Sequence, residues 1–204
     1  MEAILALRLL RAETDERDLI AAAARGDEEA QSALIQRYTP SVYRFCARML
    51  RDDEDARDAA QNTLVKVIRN LHRYDPERKF STWVFGIARN TAIDEQRRRR
   101  FTTELGDRDL ADTRSSPLEE TSRQERAERL HEALGQLPPM YREVLVLYHF
   151  EHFKYQEIAE TLELPLGTVM NRIFRARRRL RELYEAAELP EAPGVHGVVA
   201  GAGG

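Results

Sequence analysis

Between Phe101 and Leu118 the stretch "FTTELGDRDLADTRSSPL" carries no sustained apolar stripe. It mixes Gly, Pro, Ser, Thr and acids, the composition of a connecting segment. On both sides of it the apolar residues recur at helical spacing, and no segment alternates with a period of two. The break divides the 204 residues into two parts, each of the size of a small domain. The expected fold is therefore all-α, with two helical domains joined by a flexible acidic linker over residues 101–118.

In the first part, "DERDLIAAAARGDEEAQSALIQRY" reads as two helices, ended by Gly26 and capped by Asp27. Pro40-Ser41 is expected to start a third helix, running to about Leu50. "RDDEDARDAAQ" opens a fourth with acids in its first turn, where they complement the helix dipole. Its stripe takes Ala60, Leu64, Val67, Ile68 and Leu71. After "HRYDPERKF", where Pro76 disfavours helix at Asp75, a further helix is expected from a Ser81 or Thr82 cap through "RRRR". The second part reads as four helices from about Glu119, with Pro138-Pro139 starting one of them. Residues 1–17 are expected to be a helical extension rather than a signal peptide, because "MEAILALRLLRAE" lacks a small-residue cleavage site. Residues 188–204, rich in Gly and Ala, are expected to be a flexible tail.

Charge narrows the function. The net charge is −3, so any nucleic-acid affinity has to come from local clusters, and arginine is concentrated near the ends of two segments. Cys46 is the single cysteine, which rules out an internal disulfide, and no Cys/His spacing suits a metal. No metal and no cofactor are expected. Cys46 reads as a small core residue and fits a reducing cytoplasm. No apolar run approaches the roughly 20 residues needed to span a bilayer, so no membrane insertion is expected.

One cluster lies in "YQEIAETLELPLGTVMNRIFRARRRL". A helix carrying Ile158, Ala159 and Leu162 is followed by a turn from Glu163 to Leu166. Gly167-Thr168 then opens the next helix. This is helix-turn-helix spacing, in which the second helix enters the major groove. At about 100° per residue, Val169, Ile173, Ala176, Leu180 and Leu183 share one face. Asn171, Arg175 and Arg178 fall opposite, with Thr168, Arg172 and Arg179 on a flank. Arginine can pair with guanine edges and asparagine with adenine, while flanking arginines suit phosphates. Phe174 also points outward, where it could meet a thymine methyl or pack on a neighbouring helix. A merely solvated basic face is the alternative for the arginines.

The other cluster is "YDPERKFSTWVFGIARNTAIDEQRRRR". It combines Tyr74, Phe80, Trp83 and Phe85 with Lys79, Arg89 and Asn90. Aromatic faces can stack on unpaired bases while cations hold phosphates. Trp83 and Phe85 can equally be core residues. The terminal arginines, Arg97 and Arg98 among them, lack interleaved acids and suit a phosphate clamp.

The order "DARDAAQNTLVKVIRNLHRYDPERKFSTWVFGIARNTAIDEQRRRR", acidic linker, "LPPMYREVLVLYHFEHFKYQEIAETLELPLGTVMNRIFRARRRLRE" resembles the bacterial extracytoplasmic-function (ECF) sigma factors. The resemblance implies a sigma domain 2 over 18–100 and a sigma domain 4 over 119–187. It implies docking on the clamp coiled coil of core RNA polymerase through Asp58, Gln61 and Asn62. The usual Gln-Glu pair is Gln61-Asn62 here. It implies capture of a flipped non-template base of the minus-ten element by the loop from Arg73 to Thr82 and by Asn90. It further implies that the second domain sits on the polymerase flap and reads the minus-thirty-five element as duplex. Many relatives carry Arg-Ser where this chain has Met170-Asn171. An anti-sigma factor is the further partner implied. Such a protein acts in the cytoplasm and has no catalytic chemistry of its own.

Three other readings fit parts of the sequence. A duplex-binding regulator would use the helix-turn-helix alone and predicts a palindromic site bound without polymerase. A nucleic-acid enzyme needs clustered carboxylates or a nucleophile–base pair, which no motif supplies. A pure adaptor would leave the outward arginines without a role.

Overall fold

A computed structural model describes residues 15–50, 52–105 and 123–188, and every regular element in them is helical. Helix α1 covers 15–24 and α2 is Glu28–Met49. α3 is Asp53–Asn70, extended by a 3₁₀ turn at Leu71–Arg73, and α4 is Phe80–Leu105. α5 is Arg123–Gln136, α6 Pro139–His149, α7 Tyr155–Leu162 and α8 Leu166–Glu188.

Several helix ends follow from single residues. Gly26 takes a φ of 93°, which turns the chain out of α1. Asp27 then caps α2, its Oδ1 accepting from the Ala30 amide at 2.9 Å. Asp52 caps α3 in the same way, accepting from the amides of Glu54 and Asp55. Pro139 starts α6.

Pro40 behaves differently from the expectation. It lies inside α2 and starts no new helix. The buried stripe of Ala30, Leu34, Tyr38, Val42, Phe45 and Met49 runs past it without a break, and packing this stripe outweighs one missing amide. The neighbouring hydroxyls take up local carbonyls: Thr39 donates to Ile35 at 2.6 Å and Ser41 to Tyr38 at 3.1 Å. The cap of α4 is also corrected. The helix begins at Phe80, ahead of Ser81 and Thr82, because Phe80 is drawn into the core; the Thr82 hydroxyl is buried with no partner. At its other end α4 continues to Leu105, through the first residues of the expected linker, since no breaker intervenes before Gly106. The rest of the expected linker lies outside the described residues, as do most of the expected N-terminal extension and C-terminal tail.

Helices α1–α4 form one module and α5–α8 a second, with α3 packed on α2 and α4, and α8 on α5 and α6. The modules touch: α2 meets α5 and α6, and α4 meets α7. At this junction Phe85 and Phe153 meet edge to face at 5.4 Å between centroids, and the Arg48 guanidinium lies 4.1 Å over the Phe150 ring. Arg142, buried on α6, donates to the carbonyls of Leu134, Gly135 and Leu137 at the end of α5. It also reaches the Met49 carbonyl, one of the unpaired acceptors at the end of α2, at 2.5 Å.

Candidate nucleic-acid interface

The helix-turn-helix is built by α7 and α8. Lys154 precedes α7, and its amide donates to the Glu157 carboxylate at 2.7 Å. α7 closes on Glu163, whose φ of 53° is left-handed, and the Leu164 amide returns to the Ala159 carbonyl at 2.9 Å. Leu164 packs into the corner and the Pro165 carbonyl accepts from the Thr168 and Val169 amides to start α8. α8 therefore begins at Leu166, slightly earlier than Gly167.

Val169, Ile173 and Ala176 of α8 are buried, and Leu180 and Leu183 pack beside them. Asn171, Arg175 and Arg178 are exposed on the opposite side, and Thr168 is half-buried. Arg178 and Arg179 both pair with Glu182 at 3.1 Å, an exposed cluster that solvent screens. Arg172 is turned inward, with its Nη1 3.1 Å from Glu143. Two apolar side chains share the outer surface: Phe174 is 72% exposed and Met170 51%. Of the two expectations for Phe174, packing on a neighbouring helix is not seen among the described residues, where the ring stays mostly exposed.

In the first module Tyr74, Phe80 and Trp83 form one aromatic cluster, with centroids 5.0 to 5.7 Å apart. Their roles separate by burial. Phe80 is 4% exposed and meets Tyr38 edge on at 5.3 Å, so it serves the core and cannot offer a face to a base. This corrects its expected place in the pocket. Tyr74 and Trp83 are half-buried and keep part of their rings at the surface. The Tyr74 hydroxyl donates to the Arg78 carbonyl, which ties down the loop. Asn90 is exposed two turns beyond Trp83, about 10 Å along the same side of α4. Phe85 is buried, as its core reading holds.

The cations of this surface are unequally placed. Lys79 Nζ lies 2.6 Å from Glu157 of α7, and Arg89 Nε lies 2.8 Å from Glu143 of α6. Arg89 also donates to the Asn90 side-chain oxygen at 3.2 Å. Arg97 is exposed, while Arg98 pairs with Glu95 and Arg99 bridges Asp52 and Asp55. The basic end of α4 is therefore partly a clasp on the start of α3. Glu157 sits below the usual carboxylate range: burial pushes it up, but hydrogen bonds from Lys79 and the Lys154 amide outweigh that.

Asp58, Gln61 and Asn62 are exposed on one face of α3. Gln61 borders a shallow apolar groove with Ile35, Leu64, Val65, Ile68 and Arg69. A second groove, between α5, α6 and α8, is lined by Leu130, Leu145, Leu180 and Tyr184 with Arg126 and Arg177 at its rim. The exposed Ile35 and Val65 were not singled out in the sequence. The signal for Val65 is that it lies one turn after Gln61, outside the buried stripe of α3. Glu143 and Arg142 were also missed. Their signal is a charged pair inside the apolar run "YREVLVLY".

No group of three or more His, Cys, Asp or Glu side chains is placed to hold a metal among the described residues. No helix among them is long and apolar enough to cross a membrane.

Sigma-70 region 2 matches residues 34–102, and Sigma-70 region 4 matches residues 127–180. A helical first module with an aromatic, basic face and a second with a helix-turn-helix, in this order, define a transcription factor of the sigma type. The ECF RNA polymerase sigma factor SigW of Bacillus subtilis is 32% identical over 170 residues, covering 78% of this chain and 90% of SigW. The RNA polymerase sigma factor CarQ of Myxococcus xanthus is 34% identical over 167 residues, covering 82% of this chain and 96% of CarQ. CnrH, solved in complex with the cytosolic domain of CnrY, superposes with a TM-score of 0.65 at 29% identity, over 84% of this chain and 97% of CnrH. The chain belongs to the ECF family of RNA polymerase sigma factors.

Proposed function

We propose that this chain directs core RNA polymerase to promoters by two DNA contacts, one in each module, and contributes no catalysis of its own. The observation that carries this reading is the outer face of α8. Asn171, Arg175 and Arg178 stand exposed on a helix whose other side is locked into a helix-turn-helix core. That arrangement suits the major groove of a minus-thirty-five element, with Thr168 and Arg179 directed at phosphates and Arg172, paired with Glu143, bracing the helix from within.

The second contact is the half-exposed pair Tyr74 and Trp83, with Asn90 beyond them and Lys79, Arg89, Arg97 and Arg98 around them. A base extruded from the minus-ten element would stack on the rings and meet the Asn90 amide. Its capture offsets an unstacking cost of roughly a few kcal/mol. Phe80 positions these rings from below. Neither site needs to be strong alone, because a polymerase that holds both raises the effective concentration of each for DNA.

The apolar groove beside Asp58, Gln61 and Asn62 is our candidate for the clamp of the polymerase. The groove between α5, α6 and α8 is the candidate for the flap. The domain limits of 18–100 and 119–187, with a linker between them, go with this reading, as does action in the cytoplasm. An anti-sigma factor is the proposed inhibitory partner; CnrH was solved with the cytosolic domain of another protein upon it.

The test is co-purification with core RNA polymerase followed by transcription from a genomic promoter library. The expected result is a stable complex that starts at a defined set of two-element promoters. A chain that ignores the polymerase and binds a palindromic duplex operator on its own overturns the reading.

A further inference from the structure

The outer face of α8 is not uniformly polar. Among the described residues six large apolar side chains are exposed, and three of them lie on this helix. They are Leu166, Met170 and Phe174, at 42%, 51% and 72% exposure. Their spacing is i, i+4, i+8, so they form one ridge over more than two turns, with about 6 Å of rise between neighbours. Asn171 and Arg175 each follow a ridge residue in sequence and so point about 100° away around the axis. The exposed face therefore has two edges, one apolar and one carrying an amide and a guanidinium.

The surroundings of the ridge select its partner. No acid occurs from Leu166 to Arg181, while Arg175 and Arg178 stand exposed next to the ridge. That field favours a polyanion. Gly167 lies on the same face, and a side chain there would meet nothing, so the approach is open. A polyanion that also offers apolar groups at regular spacing is duplex DNA. In its major groove the 5-methyl group of thymine is the apolar group on a base edge. The groove is about 12 Å wide and takes one helix, so both edges of the outer face meet bases.

We propose that Met170 and Phe174 select thymines in the upstream promoter element by covering their methyl groups, beside the polar contacts of Asn171 and Arg175. This rests on the reading given under Proposed function and adds which bases that site selects. The rise of about 6 Å between the two side chains, against about 3.4 Å per base, sets the two thymines one or two steps apart. The unbranched Met170 adapts its shape to the methyl, and Phe174 offers a flat apolar face.

The test uses the full chain with core polymerase on promoters recovered from the genomic library. Each thymine of the upstream element is replaced in turn by deoxyuridine, which removes the methyl and keeps every hydrogen-bonding group. Competition binding at low temperature reads the closed complex. Two positions are expected at which loss of the methyl lowers affinity about fourfold. Met170→Ala should abolish the effect at one of them and Phe174→Ala at the other. Both residues are exposed, so both variants should keep the fold and co-purify with polymerase, as thermal denaturation and pull-down report. An element without thymine, affinity that ignores the methyl, or discrimination that survives both alanine variants each overturns the proposal. Loss of polymerase binding in the variants, with discrimination intact, also overturns it and makes the ridge a protein contact. If no promoter is used at all, the sigma reading fails. The ridge is then decided by selecting random duplexes with the full chain alone, from pools made with thymidine or with deoxyuridine. Equal enrichment from the two pools overturns methyl recognition.

Discussion

Lys79 and Glu157, 78 positions apart in the chain, meet with 2.6 Å between Nζ and Oε1. The Glu157 carboxyl is depressed in the folded chain. Its contribution to stability is therefore complete above the ordinary glutamate range and is lost as the pH falls through the depressed value. Urea denaturation from neutrality into the acid range should show a weaker pH dependence for Glu157→Gln than for wild type. Parallel curves for the two proteins would remove this pair from the acid response.

Arg142 should be the most sensitive single position in the second module. Arg142→Ala strands carbonyls at the ends of α2 and α5 in a region closed to water. The expected loss is about 3 kcal/mol or more, from several unsatisfied buried acceptors. Chemical denaturation checks this, and Arg142→Lys should recover only part of the loss, because an ammonium cannot match the planar fork.

Arg175→Ala should weaken recognition of the upstream promoter element by about 1–3 kcal/mol if the guanidinium reads a base edge. Competition between promoter variants distinguishes this from a phosphate contact, which would lower affinity equally for every sequence. The residue is exposed, so the fold should be unaffected.

Asn90→Ala should impair promoter opening more than closed-complex formation. Permanganate footprinting reports the melted bases, and filter binding at low temperature reports the closed complex. Equal loss at both steps would argue against a base pocket on α4.

Cys46 should not react with a thiol reagent in the native chain. Its side chain is fully buried and burial pushes the thiol up to about 12. Labelling should appear only with denaturant, and its rate in the native state should follow global unfolding.

Local signals in the sequence were enough for most of the fold. Gly26, Asp27, Asp52 and Pro139 end or start helices because their chemistry acts within a turn or two. The wheel of α8 was legible for the same reason. Pro40 misled because its local cost is outweighed by a stripe that packs against residues elsewhere in the chain. Phe80 misled because its neighbour Tyr38 is remote in sequence, and only that contact shows that its ring is covered. The candidate site was legible as a set of residue types, but the state of its cations was not. Nothing within "YREVLVLY" indicates that Glu143 reaches an arginine fifty-four residues earlier.

The shared carboxylate also means that the two halves of the chain cannot be altered independently. Arg89 and Arg172 have no hydrogen bond to each other, yet each sets the surroundings of the same anion. Removing one leaves the other as the remaining paired cation among the described residues, so the second deletion costs more than it would alone. A double-mutant cycle on these two arginines should show a coupling energy well above experimental error. Any attempt to exchange α8 for another helix must therefore carry its inner arginine along with it.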